Sequence, residues 1–294
     1  MRRLLADWLN HKGNQAAGSG NRNRATEFYK QSAKADPTWS TPHFNLGLQA
    51  KFAANWQQSL EHNQRAVQLN PADEGAWWNL GIAATALRDW PLARQAWRNA
   101  GIDVPQGEGE WTWASPATAC TRITPTADGE VVWGQRIDPA RIIIDNIPLP
   151  ESNHRFRDIV LHDGAANGTR SWQDTEVPVF DELELWQPSP YATFQVTADT
   201  GIEALAEICL NRDLGFEDWS TVHPLCRQCS EGNPSPHACS TAPHPPGPHR
   251  LAIAAQSQSD VEQAIEEWQR KFPTASPSQI ELLLPAPHSN AKIT

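Results

Sequence analysis

The chain has 294 residues, of which 39% are apolar and 20% charged, and carries a net charge of −10. That length leaves room for two or three domains. The acidic balance argues against bulk nucleic-acid binding and adhesion to an anionic membrane, since both need clustered basic residues. No run of about 18 apolar residues exists to span a bilayer.

In MRRLLADWLNHKG the apolar run breaks at Asp7 and no small-residue cleavage site follows, so no signal peptide is expected. Five cysteines, three of them crowded into 226–239, suit a reducing compartment better than a secreted disulfide framework. These features lead to an expectation of a cytoplasmic protein. Fourteen tryptophans are present, several at repeated core positions, so packing is their default role.

From the start to about Pro105 the chain repeats. FNLG at Phe44–Gly47 returns as WNLG at Trp78–Gly81, 34 residues later. Gly13, Gly47 and Gly81 keep the step, as do Ala16, Ala50 and Ala84, then Tyr29, Asn63 and Trp97, and Pro37, Pro71 and Pro105. A fixed period of this size indicates stacked units. Each unit holds two apolar-periodic segments of helical length. Small residues stand where two helices must approach, and bulky Trp77, Leu80 and Trp97 fill the space around them. One helical pair cannot bury its apolar face alone, so the pairs must stack.

The W-N-L-G motif, an Ala twelve residues after the Gly, an aromatic four further on and a closing Pro resemble the tetratricopeptide (TPR) repeat, over roughly residues 1–105 and about three repeats. The resemblance implies a superhelix whose first helices line a concave groove. Asn45 and Asn79 match positions that often face bound peptide in that family, with Leu48, Lys51, Trp78 and Ile82 as neighbours. The competing reading pairs these asparagines between adjacent helices; either role satisfies a half-buried amide. A variant of the family grips a partner's C-terminal carboxylate with groove cations. Here Asn10, Asn14, Gly75 and Asn79 stand where several cations are wanted, so that mode is not carried over.

Residues 106–127 turn rich in Gly, Pro, Ser and Thr and read as a linker, or as a segment laid on the last repeat with Trp111 and Trp113 capping its end. Over 128–188 the period becomes two, in EVVWGQRID, ARIIIDNIPL, RDIVLHDG and EVPVFDELELW. Short strands at close spacing predict a small antiparallel barrel or sandwich. His162–Asp163–Gly164 reads as a hairpin turn, and Asp181, Glu182 and Glu184 as a solvated strand face. His154 and Arg155 beside Ser152 show no base–nucleophile context.

Residues 189–294 alternate strand and helix in the order βαββαβ, which predicts a ferredoxin-like domain. Asp199 or Thr200 is the expected N-cap of its first helix, and Ser259 that of its second, with Glu262 at capping-box spacing. Its long middle loop, HPLCRQCSEGNPSPHACSTAPHPPGPH, carries a C-x2-C pair and an H-x-C pair. Zinc takes four soft or borderline ligands in a tetrahedron. Cys226, Cys229, His237 and Cys239 are the expected ligands of a structural zinc ion, with His223, His244 and His249 as spares; a disordered polar loop and a redox dithiol are the competing readings. No phosphate-binding or nucleophile-elbow motif occurs.

The sequence therefore reads as a multidomain α plus α/β protein: a TPR α-superhelix, a small antiparallel β domain and a ferredoxin-like βαββαβ domain. The function expected is a non-enzymatic adaptor that binds another protein in the repeat groove, with possible homodimerisation through the exposed repeat end. The alternatives are a metal-dependent enzyme whose repeats recruit substrate, and an inhibitor or immunity-type protein that binds through its β half.

Overall fold

The computed structural model describes residues 2–124, 129–172, 175–220 and 247–287. It divides into two compact units. The first holds 1–115 with 138–140, the second 116–137 with 141–294.

Six helices build the first unit: α1 (Arg2–Gly18), α2 (Arg22–Ala35), α3 (Ser40–Lys51), α4 (Trp56–Leu69), α5 (Glu74–Ala86) and α6 (Trp90–Asn99). Each packs on the next, and α3 also packs on α5, so successive hairpins stack. The 34-residue period returns as physical events. Gly20, Ala54 and Arg88 turn each hairpin with positive φ. Asn21, Asn55 and Asp89 follow, and each side chain accepts a backbone N–H at the start of α2, α4 or α6. A Cβ on Gly81 would lie 2.7 Å from the Trp97 ring, and Gly13 and Gly47 leave the same room for Tyr29 and Asn63. The glycine and its large partner are thus one packing device used three times. These stacked helical pairs are consistent with the tetratricopeptide repeats that the motif implied, over about a third of the chain.

The segment after α6 lies against the third repeat. Arg94 Nη1 donates to Gly109 O at 2.6 Å and Nε to Pro105 O at 3.2 Å. Trp111 is buried beneath, with the Arg94 guanidinium 5.9 Å from its ring centre.

In the second unit, β1 (Ala117–Ile123), β2 (Glu130–Arg136), β3 (Arg141–Ile144), β4 (Ile159–Trp172) and β5 (Thr175–Gln187) form a closed barrel. Sequential neighbours are antiparallel. With an odd number of strands the first and last run the same way, so β1 closes on β5 in parallel. Ala119, Ile123, Val132, Ile142, Ile144, Val160 and Phe180 fill the interior.

β1 falls inside the stretch read as a linker, so the β domain begins earlier than its strand-rich sequence does. His162–Asp163–Gly164 is not a hairpin turn: β4 continues through it, with its register shifted on both sides. His162 is fully buried against Phe180, ring centres 4.6 Å apart, and burial pushes its pKa down to about 3.

A second sheet follows from β6 (Ala192–Ala198), α7 (Ile202–Asn211), β7 (Gly215–Asp218), β8 (His249–Ala255), α8 (Gln258–Lys271) and β9 (Glu281–Leu284). Its strand order is β7-β8-β6-β9, every neighbouring pair antiparallel. Leu205, Ile208, Val261, Ala264 and Trp268 pack on one face against Phe194, Val196, Leu251 and Ile253. The other face carries Tyr191, Trp219, Ala252 and Ala254, which cluster with Ile147 and Phe156 from the barrel's β3–β4 connection. Both faces are covered, which is why Leu251–Ala255 reads as an unbroken apolar run rather than an alternating one. The helix caps differ from expectation. α7 starts after Gly201 at φ 74° with no side-chain cap, and Ser257, not Ser259, caps α8 by accepting the Asp260 N–H. Among the described residues no helix is long and apolar enough to cross a membrane.

Candidate functional site

On the first helices of the repeats, sequence reasoning singled out six groove residues, and they divide into two groups. Asn45, Leu48 and Trp78 are half-buried. Lys51 and Asn79 are buried, and Ile82 is fully so. Lys51 Nζ donates to Asn79 Oδ1 at 2.9 Å, joining α3 to α5. Asn45 Nδ2 donates to Asn10 Oδ1 at 2.9 Å, joining α3 to α1. Both asparagines therefore make the interhelical bonds of the competing reading, and Ile82 is a core residue. Trp78 stacks edge-on against Trp97, ring centres 5.3 Å apart. What remains partly accessible is Phe44, Asn45 and Leu48, spaced for one face of α3, together with Trp78 on α5. Elsewhere on the repeats Leu4, Leu5 and Trp8 of α1 are 76%, 52% and 53% exposed.

The second unit holds an acid–base pair that sequence reasoning missed. His154 Nε2 lies 2.7 Å from Glu182 Oε1, and its Nδ1 lies 2.9 Å from Ser152 O. Both side chains are nearly dry, at 7% and 8% exposure. A carboxylate and a carbonyl only accept, so the ring satisfies both as an imidazolium. Burial alone would lower the His154 pKa, but the Glu182 carboxylate outweighs it and the net shift is upward. The other Glu182 oxygen accepts from Thr124 N at 2.8 Å. Asp181 pairs with Arg122 and accepts from Asn167 Nδ2 at 2.7 Å. Of the supposed solvated face only Glu184 is exposed. With both His154 nitrogens engaged, no free lone pair is left for a base, and the arrangement pins the β3–β4 connection to the barrel.

The same connection is held from the sheet. Glu217 on β7 accepts from Ile147 N at 2.7 Å and Asn146 Nδ2 at 2.9 Å. Burial is the main cause that raises its pKa to about 7, and nearby Glu130 adds to the rise. Trp219 Nε1 donates to Ile147 O at 3.1 Å. Arg155 donates from Nε and Nη2 to Pro285 O at 2.9 and 2.8 Å, tying the connection to the chain after β9.

Cys226, Cys229, His237 and Cys239, with the spares His223 and His244, lie outside the described residues. The spare His249 is described: its Nδ1 is 2.6 Å from Asp218 Oδ2, at the two strand ends that flank the loop. Among the described residues no group of three or more His, Cys, Asp or Glu is placed to hold a metal ion. Cys120 and Cys209 are buried free thiols, each pushed up to about 12 by desolvation.

No family model matches the chain, and the comparison with curated proteins finds no match. Solved structures similar to its helical part are TPR domains. The TPR domain of Arabidopsis OM64 is 21% identical over 34% of this chain and 83% of its own, with a TM-score of 0.33. The second TPR of Spaghetti (RPAP3), bound to the HSP90 peptide SRMEEVD, is 20% identical over 33% and 91%, with a TM-score of 0.32. The Sgt2 TPR domain from Aspergillus fumigatus is 22% identical over 32% and 63%, with a TM-score of 0.31.

Proposed function

We propose that this chain is a non-enzymatic, cytoplasmic adaptor that binds a peptide or helix of another protein on the first helices of its repeats. The observation that carries the reading is the stripe of Phe44, Asn45, Leu48 and Trp78, which stays half-exposed while its neighbours Lys51, Asn79 and Ile82 are buried. The stripe offers aromatic and aliphatic area beside one amide, the mixture by which a groove anchors a partner. The exposed α1 residues Leu4, Leu5 and Trp8 are the surface on which a second copy would stack.

The second sheet is read as ferredoxin-like. Its βαββαβ element order and its all-antiparallel β7-β8-β6-β9 arrangement support that assignment. The loop between β7 and β8 is proposed to hold structural zinc through Cys226, Cys229, His237 and Cys239. Ligand spacing supports this.

The test is capture from lysate with wild type beside Leu48→Glu, which places a charge in the stripe without touching the interhelical bonds. A partner held by wild type and lost by the variant, with equal helicity and melting temperature, supports the adaptor. Equal capture by both, or none by either, overturns it.

A further inference from the structure

Trp8 and Lys12 on α1 stand one 34-residue step before Pro42 and Leu46 on α3, and two steps before Ala76 and Leu80 on α5. The four later residues are all buried. The second helix of the preceding repeat covers this face. Leu46 packs with Tyr29 of α2, and Ala76 and Leu80 pack with Ala66 and Val67 of α4. On α1 the same face is open. Leu4, Leu5 and Trp8 are mostly exposed, and Lys12 is half-buried. The three apolar side chains present roughly 300–400 Å² of surface, a patch of the size that marks an interaction site on a single chain.

The α6 side of the stack is closed by its own chain. Arg94 on α6 stands one step after Leu60, which packs in the cluster of Ala76 and Leu80 from the next repeat. Arg94 instead donates to the carbonyls of Pro105 and Gly109, and Trp111 is buried beside it. Copies stacked head to tail, α6 on α1, would meet that segment first. Nor is α1 shaped for a helix such as α2 or α4. Those helices come close over Pro42 and Ala76, whereas the Trp8 indole would hold them off. A protruding ring flanked by two leucines fits a self-complementary face, which a two-fold axis supplies and which closes at two copies.

On the reading that a second copy stacks here, we propose that α1 pairs antiparallel with α1 of that copy about a two-fold axis at Trp8. Leu4 of one copy then faces Lys12 of the other, and Leu5 faces His11. The Lys12 stem lies over Leu4 while its ammonium stays in water. Arg2 meets Asn14, so the Arg and Lys side chains of α1 do not oppose one another, and Asp7 comes near His11 of the second copy. Lys12 keeps the interface weaker than the buried crossings, because Leu46 and Leu80 fill the same step with apolar side chains.

The experiment is sedimentation equilibrium of the full chain over a range of concentrations. The expected result is a mass that rises to two copies and stops there. Trp8→Glu should weaken the dimer by about a hundredfold or more, because it puts a charge at the centre of the contact. Lys12→Leu should tighten it by about tenfold, because it restores the apolar residue of the other two repeats. Both positions lie on the surface, so helicity should be unchanged, and the gain expected of Lys12→Leu cannot come from misfolding. Leu48→Glu should dimerise as wild type does, and Trp8→Glu should still hold a groove partner, which separates this interface from the adaptor reading. A single-copy mass up to about 100 μM, a mass that climbs past two copies, or a dimer indifferent to both α1 variants overturns the proposal.

Discussion

Lys51 donates to Asn79 across 2.9 Å with both side chains buried, so the first helices of the second and third repeats are joined by a polar tie below the surface. Asn79→Ala should cost about 1–3 kcal/mol, the penalty of removing one partner from a buried hydrogen bond. A urea titration checks this: the midpoint should fall with an unchanged slope. An unmoved midpoint would mean that the tie contributes nothing. It follows that Asn79 is a poor probe of partner binding, since its removal disturbs the scaffold first.

The hairpin turns and the helix crossings make opposite demands on small residues. Ala54 sits at φ 51°, where a Cβ is strained, and glycine relieves it. Ala54→Gly should raise stability by about 0.5–1 kcal/mol, because the gain exceeds glycine's entropic cost at this position. Gly81→Ala should lower stability by about 1–3 kcal/mol, since the new Cβ would press on Trp97. Calorimetric melting of both variants checks the sign of each.

The His154–Glu182 pair lies almost out of water. Breaking a buried pair by removing one partner costs about 3–5 kcal/mol. Glu182→Gln should therefore destabilise the second unit at neutral pH by an amount in that range. Replacing both residues with apolar ones should cost less than the two single changes summed. A double-mutant cycle at fixed pH gives the coupling, and strict additivity would show that the pair is not coupled.

The pH dependence has a definite sign. Glu217 has its pKa raised from 4.5 to about 7 in the folded chain. Its contribution is fully present below pH 4.5 and is lost as pH rises through about 7. His154 is also raised, so its share is likewise lost as pH rises past its folded value. His162 in the same unit, pushed down to about 3, acts the other way below about pH 6.5, so the Glu217 share is read as a difference. The denaturation midpoint of wild type relative to Glu217→Gln should fall as pH rises from 5 to 8; a difference that is constant or grows with pH would contradict the assignment.

How much of this was legible in the residues depended on how local each feature is. The repeats were readable because each glycine and its large partner recur within one hairpin. The Asn21, Asn55 and Asp89 caps kept the same step and were an available signal that went unused. β1 was hidden by the turn-forming composition around it, although it pairs along its whole length with the neighbouring β2 and over three residues with β5. Glu182 looked solvated because strand alternation shows which face a side chain takes, but not that His154 arrives from another connection to neutralise it. The groove residues divided for a related reason. The family pattern marks a helix face, whereas interhelical bonds such as Lys51 to Asn79 depend on how closely two hairpins stack.

Strand β6 has both of its partners, β8 and β9, later in the chain. The repeats need only neighbouring segments and can take shape while the rest is still being synthesised. β6 cannot, because neither of its edges is met until residues beyond His249 have appeared. For the interval between, the nascent chain is half built: finished helical hairpins precede a sticky, unpaired strand that carries Phe194, Val196 and two Thr. A chaperone that shields exposed strand edges should therefore contact this polypeptide at 192–198, and release it once β9 has docked.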